Sequence, residues 1–513
     1  MPPPSPVLID GETLMMSELV KIARHNAPVA LANGVAEKVA ESRRIVERIV
    51  DEDTTVYSIN TGFGALSDIK ISPADIDTLQ LNFVRSHAAG TNKILPAEVV
   101  RAMMALRANT LAKGYSGVRL EVITLLVEML NKGVVPIVPS QGSLGASGDL
   151  APLAHLALVL IGEGRAKVDG ESMPGDKALA KVGLKPITLR SKEGLALVNG
   201  TQMMTALGVL NYVDADVLCK VADITASMSV DGFMGSHKPF ADMVQEVRPH
   251  PGQAVSASNC RRMLQNSQIA HSHAHCKKVQ DPYSFRCTPQ VHGAIRDTLT
   301  FVRQVLEREL NAATDNPLIF PETGEAVSQG NFHGEPLAFA MDFLGIAMAE
   351  LGSISERRVD KLNDPHFSEL PAFLTRGQTG LNSGTMIVHY TAASLVSENK
   401  ILAHPASTDS IPTSNNKEDH VSMGSISARK ACNILKHVRH ILATEAFCAY
   451  QALSFRDPQR AGDGVEAARE FLNGIIQPFV EDKVFVDDIK AINKHILNGS
   501  LLAHVEAAVG HFA

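Results

Sequence analysis

The ten residues Ser140-Gln141-Gly142-Ser143-Leu144-Gly145-Ala146-Ser147-Gly148-Asp149 hold three glycines and three serines. Within them, Ala146-Ser147-Gly148 has the residue types for an uncommon reaction. If the Gly148 amide nitrogen closes onto the Ala146 carbonyl carbon, the backbone must be compressed, and glycine alone lacks a Cβ to obstruct it. Loss of water from the new ring, then from the Ser147 side chain, leaves a methylidene group conjugated to an imidazolone. No standard side chain supplies so strong an electrophile. Covalent capture by such a group splits a hard elimination into two easier steps, whereas general acid–base catalysis alone contributes about 10² to 10⁴. In isolation Ala-Ser-Gly is an ordinary turn, so its surroundings carry the weight.

Those surroundings are read as follows. A helix is predicted over 118–130, stopping at Gly133, and Val134-Val135-Pro136-Ile137-Val138-Pro139 then reads as extended chain leading into the loop. An apolar helical run follows the loop. Asp149 is read as its N-cap, with Pro152 tolerated in the first turn, so the positive end of the helix dipole faces the tripeptide. Arg165-Ala166-Lys167-Val168-Asp169-Gly170 reads as a hairpin with an Asp-Gly turn, one of few strand signals. Val35, Val39, Val46 and Val50 mark an amphipathic helix. Beyond about residue 200 helical patterns dominate, and 334–354 carries only Glu335, Asp342 and Glu350 as charges. Similar low-charge runs occur over 203–230 and 385–402, and such helices are expected to be buried, against one another or against other subunits. The expected fold class is mainly α with minor β: a loop-bearing N-terminal domain over 1–200 and a helical bundle over 201–513.

Composition narrows the function. With 513 residues, 45% of them apolar, 20% charged and a net charge of −7, the chain has no basic field to attract phosphate backbones, and nucleic acid is not an expected partner. Its six cysteines form no C-x-x-C pair, which argues for a reducing compartment rather than a disulfide framework. The start, Met1-Pro2-Pro3-Pro4-Ser5-Pro6, lacks the basic and apolar regions of a secretory signal. The apolar stretch 150–161 is too short to cross a bilayer. A cytoplasmic protein without membrane partners is therefore expected. His271, His273, His275 and Cys276 have the look of a metal cluster, but no H-E-x-x-H accompanies them, and no metal is expected.

The sequence from Gly142 to Leu153 resembles the signature of the aromatic amino acid ammonia-lyases. Further segments resemble that family in order: 57–64 (YSINTGFG), 192–201 (KEGLALVNGT), 279–287 (VQDPYSFRC), 331–334 (NFHG) and 418–424 (EDHVSMG). Together they cover nearly the whole chain. The resemblance implies an elongated helical core of the fumarase/aspartase type and a homotetramer whose active sites take residues from three subunits. It also implies a methylidene-imidazolone group formed from Ala146, Ser147 and Gly148, with no dissociable cofactor.

By the same resemblance Tyr57 is the base that removes the β-proton, and Tyr283 and Glu418 join it as catalytic residues. Arg286 clamps the substrate carboxylate through its planar fork. Asn199 and Gln280 hold the substrate or the ring, and Phe332 lines the cavity. His87 and Glu418 together mark the histidine-type members, so the implied reaction is elimination of ammonia from L-histidine to trans-urocanate. The alternatives are a phenylalanine or tyrosine ammonia-lyase, or an aminomutase with the same electrophile. Ser58, Gln329 and Lys417 depart from the family pattern, the last two beside Phe332 and Glu418. Without the resemblance, Tyr57, His87 and Phe332 would read as packing residues and Arg286 as a surface ion-pair partner.

Overall fold

A computed structural model describes residues 5–273 and 278–513. Helix dominates, and the strands are only two to four residues long. There are two compact units, interleaved in sequence: Met1–Leu210 with Arg303–Met341 and Pro405–Arg429, and Asn211–Val302 with Asp342–His404 and Lys430–Ala513. The sequence suggested one change near residue 200, whereas the first unit also draws on two later segments.

In the first unit the Val35–Asp51 helix turns Val35, Val39, Ile45, Val46 and Ile49 inward, leaving Val50 half-buried. Several of these pack with Ile59 and Ile319 in one apolar cluster. The helix predicted over 118–130 spans Leu120–Asn131. It is followed by Gly133 at φ +68°, a left-handed exit that glycine makes at low cost. Two small sheets then fix the entry to the Ser147 loop: Val135–Pro136 pairs with Arg165–Val168, and Pro139–Gln141 with Thr91–Ile94, both antiparallel. The hairpin forms as expected. Arg165–Val168 pairs with Glu171–Pro174 around Asp169 and Gly170, whose φ values of +53° and +83° suit a primed turn. Behind the loop lies the Ala97–Ala112 helix, in which every residue from Val99 to Ala112 is buried.

In the second unit the core contains a charged cluster. Buried Asp223 accepts hydrogen bonds from Ser256 Oγ (2.7 Å), Asn259 Nδ2, His292 Nδ1 and Arg296 Nη2 (each 2.8 Å). Burial pushes this carboxyl up, but the Arg296 guanidinium and the bonds from His292 and Asn259 outweigh it and hold it down at about 2. Asp223→Ala leaves Arg296 buried without its anion and is expected to cost about 3–5 kcal/mol of unfolding free energy, measurable by urea denaturation. Because the folded pKa lies below the unfolded one, this contribution is present above pH about 4 and is lost as pH falls through 2.

Not every low-charge helix is enclosed. In the Glu335–Asn363 helix, Phe339, Phe343 and Ile346 stay 43%, 45% and 45% exposed, at the three- and four-residue steps of one face. By length and composition alone this helix could cross a bilayer, but 67% of its most apolar window is buried in the fold. The Met386–Leu402 helix buries Val388, Ala392 and Asn399 while exposing Ile387, Tyr390 and Ile401. Low charge therefore failed as a guide to burial within a single chain.

Candidate active site

Beside the Ser147 loop, within the first unit, lies a cavity of about 680 Å³, the size of a small-molecule site. Tyr57, His87, Ser147, Asn199 and Glu418, from five separate segments, share its wall.

The tripeptide is gripped from two sides. Gly145 and Gly148 have φ of +69° and +74°. A Cβ at Gly148 would lie 2.1 Å from the Gly200 carbonyl oxygen, and one at Gly145 2.1 Å from Ser422 Oγ, so no larger residue fits either place without displacement. Asn199 Nδ2 donates to the Ser147 carbonyl oxygen at 2.7 Å, Gly200 N approaches the same oxygen at 3.4 Å, and Asp149 N donates to the Gly200 carbonyl at 2.7 Å. On the other side Met423 N donates to Leu144 O (2.9 Å) and Ser425 Oγ to Ser143 O (2.7 Å).

The Leu150–Leu160 helix begins where the sequence placed it, but Asp149 makes no side-chain cap bond to it. The Asp149 carboxylate instead accepts from Met203 N and Met204 N, both 2.9 Å, in the first turn of the Gln202–Phe233 helix. The expected local cap is thus a long-range one. Burial pushes this carboxyl up to about 7, against the pull of those two N–H groups and of Arg107.

His87 ends the Ile76–His87 helix. Its Nδ1 lies 2.8 Å from Phe83 O and 3.1 Å from Ser86 Oγ. A carbonyl oxygen only accepts, so Nδ1 carries the proton and Nε2 is left as an acceptor. Burial lowers the imidazole pKa, only partly offset by the bond to Phe83, which keeps the ring neutral. The Phe83 ring packs 3.8 Å from the imidazole and 4.1 Å from Phe63, centroid to centroid. Glu418 is steadied by Thr413, whose Oγ1 donates to Oε2 at 3.2 Å. Between them Ser414, Asn415 and Asn416 all have positive φ, and Ser414 Oγ accepts from Ala65 N at 3.1 Å, tying this loop to the Tyr57 loop.

The Tyr57 hydroxyl oxygen accepts from Gly64 N at 3.3 Å. Burial raises its pKa, the Gly64 N–H opposes this, and the Glu418 and Asp315 carboxylates add to the rise. The phenol therefore holds its proton more tightly than free tyrosine. Next to it Ser58 is fully buried at φ +63°, a left-handed conformation that costs a non-glycine residue about 1–2 kcal/mol. That cost is the physical meaning of a serine where the family pattern has glycine. Gln329, the second departure, donates from Nε2 to Asp315 O (2.7 Å) and from N to Asn316 Oδ1 (2.9 Å), while Lys417 is exposed.

The remaining sequence-derived residues lie elsewhere. Gln280, Tyr283 and Arg286 gather on the second unit: Arg286 Nη2 donates to Gln280 Oε1 at 3.0 Å and its guanidinium sits 4.5 Å from the centre of the Tyr283 ring. Tyr283 is 71% exposed. Phe332 belongs to the first unit, half-buried in a turn, and is not part of the cavity wall. Ala146 is half-buried beside Ser147. In the His271-to-Cys276 stretch, His275 and Cys276 fall outside the described residues. The Nδ1 atoms of His271 and His273 pair with Ser267 O and Ile269 O. Among the described residues, His333, Glu335 and His420 bring potential ligand atoms within 4.8 Å, a grouping the sequence did not suggest; His333 Nε2 is 3.2 Å from the His420 carbonyl.

Among the wall residues that escaped the sequence reading are Asn316 and Ser414. Asn316 had only the turn-forming Asp315-Asn316-Pro317 to mark it. Ser414 lay in a Ser-Asn-Asn run that signals a loop and nothing more.

A sequence model of the aromatic amino acid lyases matches residues 14–473. The histidine ammonia-lyase of Caldanaerobacter subterraneus subsp. tengcongensis is 52% identical over 96% of this chain and 97% of its own length. That of Myxococcus xanthus is 50% identical over 98% and 99%. Among solved structures, histidine ammonia-lyase from Trypanosoma cruzi superposes with a TM-score of 0.91 at 41% identity, over 98% of this chain and 96% of that one. Tyrosine aminomutase from Streptomyces globisporus superposes with a TM-score of 0.94 at 37% identity, over 99% and 100%.

Proposed function

The chain belongs to the aromatic amino acid lyase family, and on that footing we propose that it is a carbon–nitrogen lyase that releases ammonia from L-histidine and leaves trans-urocanate, the first step of histidine breakdown. One observation carries the choice of substrate: His87, with Nε2 as acceptor, and the Glu418 carboxylate share one cavity wall with Ser147. An imidazole has a ring N–H to offer such groups. A phenyl ring has none and would leave them buried and unpaired. The names and identities of the relatives support the same substrate.

The tripeptide fits the methylidene-imidazolone proposed for it. Gly148 within it and Gly145 before it stand where a Cβ would collide, and the Ser147 carbonyl already receives Asn199 Nδ2 and approaches Gly200 N. That group would supply an electron-poor alkene for covalent capture of the substrate, with no dissociable cofactor. The chain's own residues do the rest. Asn199 and Gly200 are aimed at the Ser147 oxygen, where negative charge would be stabilised, and the Leu150–Leu160 helix starts just beyond with its positive end toward the loop. Tyr57 acts as the base toward the β-proton and must lose its own proton first. Arg286, braced by Gln280 and stacked on Tyr283, offers a charged fork for a carboxylate. Tyr283 and Glu418 complete the catalytic set and Phe332 the binding set. We propose further that the enzyme is a cytoplasmic homotetramer with sites shared between subunits; the exposure of Tyr283 and of apolar side chains on the Glu335–Asn363 and Met386–Leu402 helices supports the shared assembly.

The likeness to a tyrosine aminomutase favours one second reading, in which ammonia returns to the β-carbon. Product analysis on L-histidine, L-phenylalanine and L-tyrosine separates the two. Free ammonia with urocanate is expected, and a β-amino acid product, or turnover of tyrosine with none of histidine, would refute the proposal. His87→Phe is expected to lower kcat/KM for histidine about 10- to 100-fold, the effect of one lost buried hydrogen bond, and to improve use of phenylalanine. An unchanged ratio of the two specificity constants would remove His87 from substrate choice.

A further inference from the structure

We infer that Arg107 is a positioning residue for ring closure at Ala146-Ser147-Gly148, an inference that rests on the function proposed above. Arg107 sits in the enclosed Ala97–Ala112 helix, is 0% exposed and ranks among the largest fully buried side chains. A guanidinium is costly to bury unless its donors are used, and the use made of them here is specific. Nη1 donates to Ala196 O at 2.9 Å, and Nη2 donates to Asn199 O at 2.8 Å and to Gln202 Oε1. These groups bracket Gly200, where an added Cβ would lie 2.7 Å from Nη2. Gln202 is itself fixed, its Nε2 donating to Thr110 Oγ1 (3.1 Å) and Thr314 Oγ1 (2.9 Å). Ala196 and Asn199 lie at the C-terminal end of the Glu193–Val198 helix, where a cation is favoured by the dipole. Burial lowers the guanidinium pKa to about 10, with Asp315 and Asp149 opposing, so it stays charged at neutral pH.

Arg107 thus holds residues 199 and 200, and those two hold the tripeptide: Asn199 Nδ2 and Gly200 N face Ser147 O, and Gly200 O receives Asp149 N. Closure joins Gly148 N to Ala146 C, and the Ala146 oxygen departs as water with the amide protons of Gly148 and Ser147. The second water takes the Ser147 hydroxyl and its Cα proton. As that proton leaves, charge moves onto the Ser147 carbonyl oxygen, where the two donors wait. A lysine ammonium lacks the planar fork needed to bind two carbonyls in fixed directions. Arg107 contributes by keeping the donors aimed, with no hydrogen bond to the three ring-forming residues.

The test is mass spectrometry of the Ser147 peptide from purified, folded Arg107→Lys and Arg107→Met, alongside the wild type and with circular dichroism to establish folding. The dehydrated fraction is expected to fall several-fold in both variants, with kcat falling in proportion and KM for histidine unchanged. Folded variants dehydrated as fully as the wild type overturn the inference. If neither variant folds, Gln202→Leu removes the acceptor that steers Nη2 while keeping the buried cation. Reduced dehydration in that variant supports the inference; full dehydration, or failure of all three to fold, assigns Arg107 to the fold alone and overturns it. A wild type with no dehydration would instead bring down the proposed function, and this inference with it.

Discussion

Ser147→Ala is expected to lower turnover of histidine by more than about 10²-fold while leaving the fold in place. The bound on the loss follows from two magnitudes. Enzymes accelerate their reactions by about 10⁶ or more, and the acid–base groups left behind account for about 10² to 10⁴ of that. The substitution removes one hydroxyl from a half-buried position and opens no large hole, so circular dichroism should be unchanged. Intact mass gives a second, independent readout. The wild type is expected to be lighter than its sequence by two waters, and Ser147→Ala by one at most, since only the ring-closing water can still leave. The protein has no tryptophan, so near-ultraviolet absorption beyond the range of tyrosine has no ordinary source and should vanish in the variant. Wild-type turnover by a chain of full sequence mass would leave the mechanism without its electrophile.

Tyr57→Phe is expected to lower kcat by about 10² to 10⁴, the share of a general base. The pH profile tells a base from a packing residue. Burial and the nearby carboxylates raise the phenol pKa against a single opposing N–H from Gly64. If the deprotonated form is the base, as proposed, the wild-type rate should climb with pH as the phenolate fraction grows, and with the pKa raised the climb should extend beyond the pH at which free tyrosine titrates, about 10. Phenylalanine cannot titrate, so the variant should lose that component. A variant with the same alkaline slope as the wild type would show that another group, such as the substrate amine, governs the climb and that Tyr57 is not the base.

Much of the local structure around the proposed site was legible along the chain. Local rules sufficed for the Val35–Asp51 helix, the Asp169-Gly170 hairpin, the helix exit at Gly133 and the helix start at Leu150, because each depends on residues a few positions apart. They failed at Asp149. It stands where an N-cap belongs, but its carboxylate reaches Met203 and Met204, more than fifty residues away, and no local pattern records that choice. The low-charge run at 385–402 is enclosed only in part within one chain, for a related reason: composition states that a side chain is apolar, not what covers it.

By itself, then, the sequence determined the mainly helical class and the short motifs, Ala146-Ser147-Gly148 among them, by which the chain resembles its family, since each is written in neighbouring residues; the roles proposed for Tyr57, His87, Arg286 and Phe332 came from that resemblance and not from the residues alone. Only the tertiary structure decided which ring nitrogen of His87 bears a proton, that Arg107 stands behind Asn199 and Gly200, and that Asn316 and Ser414 join the cavity wall. Hydrogen-bond direction and burial arise where distant segments meet, and a one-dimensional string does not contain those meetings.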